Sequence, residues 1–241
     1  MLITNKKSFI KGTLYMLSFV AVFLLILSPV FHGPNNTKIT GLDYADNLFN
    51  RLSKGSSWFI PEIKPRVSAL EGKEIDLTIN LKNAASTESV LTLLAASGAS
   101  ASAGDGGIHI KGDLGKLLGA ALFDSEHIYN DNPKPVSERY GGMDGYEALA
   151  YWWQALQPMI KELQKARLIP EAQVVDTVIR KGIEPAYNFK GIVAGDVKKE
   201  FLIMLGLLIF YVIYTLWYGF AIFDLFEGIG LTMKKGKKQE A

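Results

Sequence analysis

The chain contains no cysteine and only three histidines. Disulfide bonds and thiolate metal sites are therefore excluded, so any folded region must be held together by its own apolar core. The histidines do not form the H-E-x-x-H pair of zinc hydrolases, and neither G-x-S-x-G nor a P-loop glycine motif is present. These absences disfavour an enzyme, and we expect no metal ion and no other cofactor.

A basic region is lacking from the middle of the chain. Residues 32–198 carry 18 Lys and Arg against 20 Asp and Glu, a net charge of −2. Nucleic-acid-binding domains present clustered positive charge to the phosphate backbone. We therefore expect no nucleic-acid partner.

Charge is also lacking from two long apolar stretches. Residues 12–31 are 20 consecutive uncharged residues, and residues 201–223 are another 23. At about 1.5 Å of rise per residue, either stretch can cross the roughly 30 Å hydrocarbon core of a bilayer as a helix. The sequence predicts a membrane protein with two transmembrane α-helices.

The first apolar stretch also has the outline of a signal peptide, because lysines precede it. The residues that follow it, LSPVFHGPNN, lack the pair of small residues that signal peptidase requires. We expect an uncleaved anchor.

Lysines flank both stretches, three before the first and four after the second: Lys6, Lys7, Lys11, Lys234, Lys235, Lys237 and Lys238. Lysine is enriched on the cytoplasmic side of membrane spans. We expect residues 1–11 and 224–241 to be cytoplasmic tails and residues 32–198 to be an extracytoplasmic domain. The cysteine-free outer domain and the short lysine tails favour a bacterial inner membrane.

Periodicity within residues 32–198 predicts a mostly α, α+β domain with a small sheet. Ile75, Leu77, Ile79 and Leu81 alternate with polar residues and predict a strand with one wet face, and residues 107–112 predict a second strand. Helical spacing predicts helices over 42–54, after Ser86, after Asp113, and from Tyr146 onward.

The segments between these elements are predicted to be irregular. Residues 97–107 are rich in glycine and serine and predict a flexible turn, residues 56–65 predict an extended connector, and residues 129–145 predict a polar loop. Pro158 is expected to kink or split its helix, and Gly182 is expected to follow the end of the next one.

Candidate sites in the outer domain are few. Asp124, Glu126 and His127 offer oxygen and nitrogen ligands, yet the pattern fails the calcium-loop motif and favours a solvated helix end. Trp152 and Trp153 are adjacent on an apolar helix, so one of them must point away from the core and becomes a candidate contact for a partner.

The second apolar stretch carries a more informative pattern. Tyr211, Tyr214 and Tyr218 recur at intervals of three and four, so they share a helix face. Their hydroxyls need hydrogen-bond partners that lipid tails do not offer, which predicts a face packed on another helix or on a polar cofactor. Asp224 and Glu227 project to nearly the opposite side at 100° per residue. We expect hydrated interfacial carboxylates there, compensated by the lysines that follow, in preference to a buried cation or proton site.

Three functions remain open. The first is a non-catalytic accessory or scaffold subunit of an inner-membrane assembly, such as a transporter, a cation pump or a respiratory complex. Its partners would be the bilayer and other integral membrane subunits, with a homo-oligomer also open. The second is an extracytoplasmic ligand-binding module that signals through a partner, since the short segment after the second stretch leaves no room for a signalling domain. The third is a membrane-anchored enzyme.

Overall fold

The computed structural model describes residues 3–33 and 36–231. Helices account for 69% of the structure and accompany a small sheet, which confirms the predicted fold class to that extent. The helices are α1 Lys6–Leu27, α2 Gly41–Ser56, α3 Ile60–Ser68, α4 Thr87–Ala96, α5 Leu114–Tyr129, α6 Lys134–Arg139, α7 Gly145–Lys165, α8 Ile169–Val178, α9 Glu184–Asn188 and α10 Val197–Gly228. The strands are β1 Phe31–His32, β2 Lys38–Ile39, β3 Glu74–Ile79, β4 Ser100–Gly104 and β5 Gly107–Asp113.

The chain divides into two compact units. The hairpin unit comprises residues 1–52 and 195–241, and the central domain comprises residues 53–194. Residues 32–52, which the sequence places with the outer domain, therefore group with α1 and α10.

In the hairpin unit, α1 and α10 are long and apolar enough to cross a membrane. They pack against each other in opposite directions, since Gly12 lies beside Leu225 while Phe19 stacks on Tyr214 with ring centroids 4.2 Å apart. A Cβ atom on Gly12 would lie 2.6 Å from the Leu225 backbone nitrogen. The two backbones can approach this closely only because position 12 is glycine.

The contact face of α10 follows a period of seven. Leu207, Tyr214, Ala221 and Gly228 are all less exposed than their neighbours, and Ala221 and Gly228 are buried. A period of seven corresponds to 3.5 residues per turn, which is the repeat of helices that wrap around each other.

The central domain contains an antiparallel three-stranded sheet in the order β3-β5-β4. The strand predicted from the alternation at 75–81 is confirmed as β3, with Ile75 and Ile79 buried. The flexible turn predicted at 97–107 is wrong over residues 100–104, which form β4 and pair with β5. β4 carries only small side chains and therefore shows no apolar alternation; its ladder to β5 defines it.

Two further helices lie where irregular chain is predicted. α3 replaces the extended connector and buries Ile60, Ile63 and Val67, while α6 lies within the polar loop. Both helices carry a proline in the first turn, where the missing N–H has no intrahelical acceptor to lose. Proline here marks a helix start and not an extended segment.

The helix α7 continues through Pro158, so the helix is not split there, and a kink at this residue stays a prediction. The predicted helix end at Gly182 is wrong, because α8 continues through a π-helical turn over Ile179–Ile183 into α9. A Cβ on Gly182 would lie 2.9 Å from Leu122 of α5. Gly182 therefore serves close packing against α5 and does not terminate the helix.

Candidate functional site

A fully buried carboxylate, Asp124 of α5, joins three elements of the central domain. Its Oδ1 accepts a hydrogen bond from Arg139 Nη1 at 2.9 Å. Its Oδ2 accepts from the indole N–H of Trp152 at 2.7 Å and from the hydroxyl of Tyr140. Burial raises the pKa of Asp124 despite these favourable partners, and burial together with the nearby Asp124 charge raises the pKa of Tyr140. The phenol therefore remains a hydrogen-bond donor.

The solvated acidic helix end predicted around Asp124 is wrong for that residue, which is fully buried. Its neighbours do lie at the surface: Glu126 pairs with Lys64 at 2.7 Å, and His127 packs edge-on against Phe123. Asp124 thus shares no site with Glu126 and His127.

A cavity of about 510 Å³ opens on another side of α7, bordered by the loop after β3 and by α9. We call its buried and half-buried residues the floor: Leu149, Ala150, Trp153, Gln154, Ile183 and Glu184. We call its exposed residues the mouth: Lys82, Asn83, Tyr187 and Asn188. A cavity of this volume is within the usual range of small-molecule sites.

Two polar groups of the floor have unused hydrogen-bond capacity. The Trp153 indole N–H donates to Glu184 Oε1 at 3.1 Å. Within residues 3–33 and 36–231, no partner contacts the other oxygen of Glu184, and Gln154 Oε1 is buried without a hydrogen bond. The floor therefore presents two acceptors that a ligand can satisfy.

The two tryptophans divide as expected for adjacent helix positions. Trp152 is fully buried in the core and donates to Asp124, while Trp153 is half-buried and lines the cavity. Contact of Trp153 with a partner stays a prediction, but its ring faces a cavity large enough for a small molecule.

The tyrosines of α10 do not behave as one face. Tyr214 and Tyr218 both contact Phe19 of α1, with ring centroids 4.2 Å and 5.1 Å apart. Tyr211 is 63% exposed and points away from α1. Tyr214 and Tyr218 thus contact α1 of the same chain, while Tyr211, the most exposed of the three, and part of Tyr218, which is 47% exposed, are left for an external contact.

The carboxylates of α10 also face α1, so their assignment to the opposite side is wrong. Asp224 is 5% exposed and pairs with Lys11 Nζ at 3.0 Å, and Glu227 accepts from the Ser8 hydroxyl at 3.2 Å. The period of seven explains the difference, since at 3.5 residues per turn the α1 contact rotates around α10 along its length. The predicted hydrated state is wrong for Asp224, and the four lysines expected to compensate it lie outside the described residues.

No protein-family model, curated protein or solved structure matches this chain. In the described part of the chain, no three His, Asp or Glu side chains lie close enough together to hold a metal ion.

Sequence reasoning missed the interior position of Asp124 and the acceptors of the cavity. A helical signal for the first exists: Asp124 follows Leu117 by seven residues and precedes Ile128 by four, and both of these are buried. The position of Glu184 beside Trp153 has no such signal, because it depends on the π-helical turn between α8 and α9.

Proposed function

We propose that this protein is a non-catalytic subunit of a bacterial inner-membrane assembly. In this proposal α1 and α10 span the membrane as an antiparallel pair, both termini are cytoplasmic, and the central domain is periplasmic. The antiparallel packing is consistent with this orientation, because it brings the start of α1 and the end of α10 together at the Lys11–Asp224 pair.

The observation that carries the proposal is the outward-facing hydroxyl of Tyr211. Tyr211 lies ten residues after Phe201 and twelve before Phe223, roughly 15–18 Å of helix from either end of the apolar stretch. That distance is too great for the side chain to reach the headgroup region. Lipid tails offer the hydroxyl no partner, so a polar group at this depth favours a neighbouring helix.

A nearby threonine shows the contrast. The Thr215 hydroxyl donates to the backbone carbonyl of Tyr211 at 2.8 Å, which is the usual way a polar side chain is accommodated in an apolar helix. A tyrosine hydroxyl is too far from its own backbone for this bond. The Tyr211 hydroxyl has no hydrogen-bond partner among residues 3–33 and 36–231, and another integral membrane subunit would supply one.

The test compares Tyr211→Phe with Tyr214→Phe in co-purification from mild detergent. Loss of one interhelical hydrogen bond costs about 0.6 kcal/mol and at most about 1.7 kcal/mol, or about 3-fold to 16-fold in affinity. Tyr211→Phe should lower partner yield by that factor. Tyr214→Phe is the matched control and should not, since its ring faces Phe19. Equal yields for both variants and the unaltered protein would contradict the proposal.

A cysteine scan distinguishes the kinds of partner, because the chain has no thiol of its own. Tyr211→Cys carrying a thiol-reactive photo-crosslinker should form a crosslink to a different protein, identified by mass spectrometry. A disulfide-linked pair of the unlabelled variant after addition of an oxidant would instead show that a second copy covers the face. A reporter fused after Ala241 tests orientation separately, and activity of a periplasm-dependent reporter there would refute cytoplasmic termini.

A further inference from the structure

We infer that the cavity beside Trp153 binds a small organic ammonium compound with an apolar body. This inference extends the ligand-binding function that the sequence leaves open, and it does not depend on the contacts of Tyr211. It follows from which groups lie on the floor and which lie at the mouth.

The polar groups of the floor favour a ligand that donates hydrogen bonds. Gln154 Oε1 is buried without a partner, and one oxygen of Glu184 is unused among the described residues. The buried acceptor of Gln154 is unfavourable without a partner, so a ligand that donates to it gains more than it would at a hydrated group. Glu184 is half-buried and contributes its negative charge. An ammonium group has two or three N–H donors and a charge opposite to that of Glu184.

The walls favour a cation with an apolar body. The rings of Trp153 and Tyr187 line the cavity, and aromatic rings attract ammonium groups electrostatically. Leu149, Ala150 and Ile183 supply the remaining apolar surface. An aliphatic or aromatic body would cover these side chains while the ammonium group faces Glu184.

The residues of the mouth do not favour an anionic ligand over a cationic one. Lys82 is exposed and hydrated, so its charge has little effect on a ligand group on the floor. The amides of Asn83 and Asn188 are exposed as well. A carboxylate ligand would have to place its charge beside Glu184 or remain at the mouth without using the apolar floor.

Calorimetric titration of the detergent-solubilised full-length protein with three matched probes tests the inference. The probes are phenethylamine, 2-phenylethanol and 3-phenylpropanoate, which share a phenyl body and differ in charge. Phenethylamine should bind, the alcohol should bind at least about tenfold more weakly, and the carboxylate should show no binding. Equal binding of amine and alcohol, preferred binding of the carboxylate, or no binding of the amine would overturn the assignment. This comparison uses the unaltered protein, so it does not rely on any variant folding.

Variants then place the ammonium group. Glu184→Gln should weaken phenethylamine binding about tenfold or more, because the charge-assisted hydrogen bond becomes a neutral one. Glu138→Gln on the exposed surface of α6 is the control and should bind as the unaltered protein does. Unchanged amine affinity in Glu184→Gln, with the fold verified by circular dichroism, would refute the site. Failure here leaves the Tyr211 crosslinks unaffected, so the two proposals fail separately.

Discussion

Replacing Asp124 with asparagine should destabilise the central domain more than any change of one surface carboxylate. The substitution keeps the size of the side chain and removes its charge. Oδ1 of the native residue accepts a hydrogen bond from Arg139, and Oδ2 accepts hydrogen bonds from both Tyr140 and Trp152. A carboxamide has one oxygen and one NH₂ group, so it cannot accept at both positions.

The structure gives the size of the effect. If the amide oxygen faces Trp152, the NH₂ group opposes Arg139; if it faces Arg139, the NH₂ group opposes the Trp152 indole N–H. A buried donor that loses its acceptor costs about 1–3 kcal/mol, and the lost charge adds about 1 kcal/mol, discounted because Arg139 is 28% exposed. We expect a loss of about 2–4 kcal/mol in the free energy of unfolding, or roughly 6–12 °C in Tm for a domain of this length.

Thermal unfolding of the full-length protein, followed by circular dichroism, measures this loss. Asp176→Asn is the matched control, because Asp176 pairs with Arg180 four residues later on an exposed helix surface. Such hydrated pairs contribute little, so the control Tm should be almost unchanged. If Asp124→Asn unfolds within 2 °C (roughly 0.7 kcal/mol) of the control, the buried hydrogen bonds of Asp124 do not stabilise the domain as expected.

Two other predictions concern the same domain. On α5, a Cβ at Gly115 would lie 2.4 Å from the Glu71 backbone nitrogen, whereas one at Gly119 would have no neighbour within 4 Å. Gly115→Ala should therefore lower the free energy of unfolding by about 1–3 kcal/mol, and Gly119→Ala should raise it by up to about 1 kcal/mol. Equal denaturation midpoints for the two variants would contradict this. The Gly72 N–H holds the pKa of Asp113 below its ordinary 3.8, so its stabilisation is complete above that pH and is lost as the pH falls through the folded pKa. Asp113→Asn keeps a helix cap but removes this titration, so the fall in Tm on acidification below about pH 4 should be shallower than in the unaltered protein; an identical pH profile would refute the assignment.

Local sequence signals were sufficient to predict those elements that depend only on residues close together in the chain. The alternation around Ile75 and Ile79 predicts β3, and the helix predicted after Asp113 is α5, which Asp113 caps by accepting from the Lys116 N–H at 3.1 Å. Both features depend on residues within a few positions of one another. The two apolar helices follow from composition alone.

Structure that depends on distant partners was not predictable in this way. β4 forms because its backbone pairs with β5 through a ladder of hydrogen bonds, and its small side chains show no apolar alternation that would predict a strand. The face of α10 toward α1 depends on how the two helices wrap, which a fixed 100° per residue misplaces for Asp224 and Glu227. For the candidate site, the sequence pointed to the Trp152–Trp153 pair without choosing between them, and it did not reveal the acceptor oxygens of Gln154 and Glu184 that give the cavity a polar end.

The π-helical turn over Ile179–Ile183 has a consequence for how α9 could change over evolution. Such a turn accommodates one extra residue within a helix, so the residues on both sides keep nearly the phase of an uninterrupted helix. Deleting one residue within the turn would therefore restore an ordinary helix and leave Glu184 and Tyr187 beside the cavity. Deleting one residue at the start of α9 would instead rotate the residues that follow by about 100° and move both the buried Ala186 and Tyr187. The turn is therefore a place where the chain can lose a residue and keep this pocket.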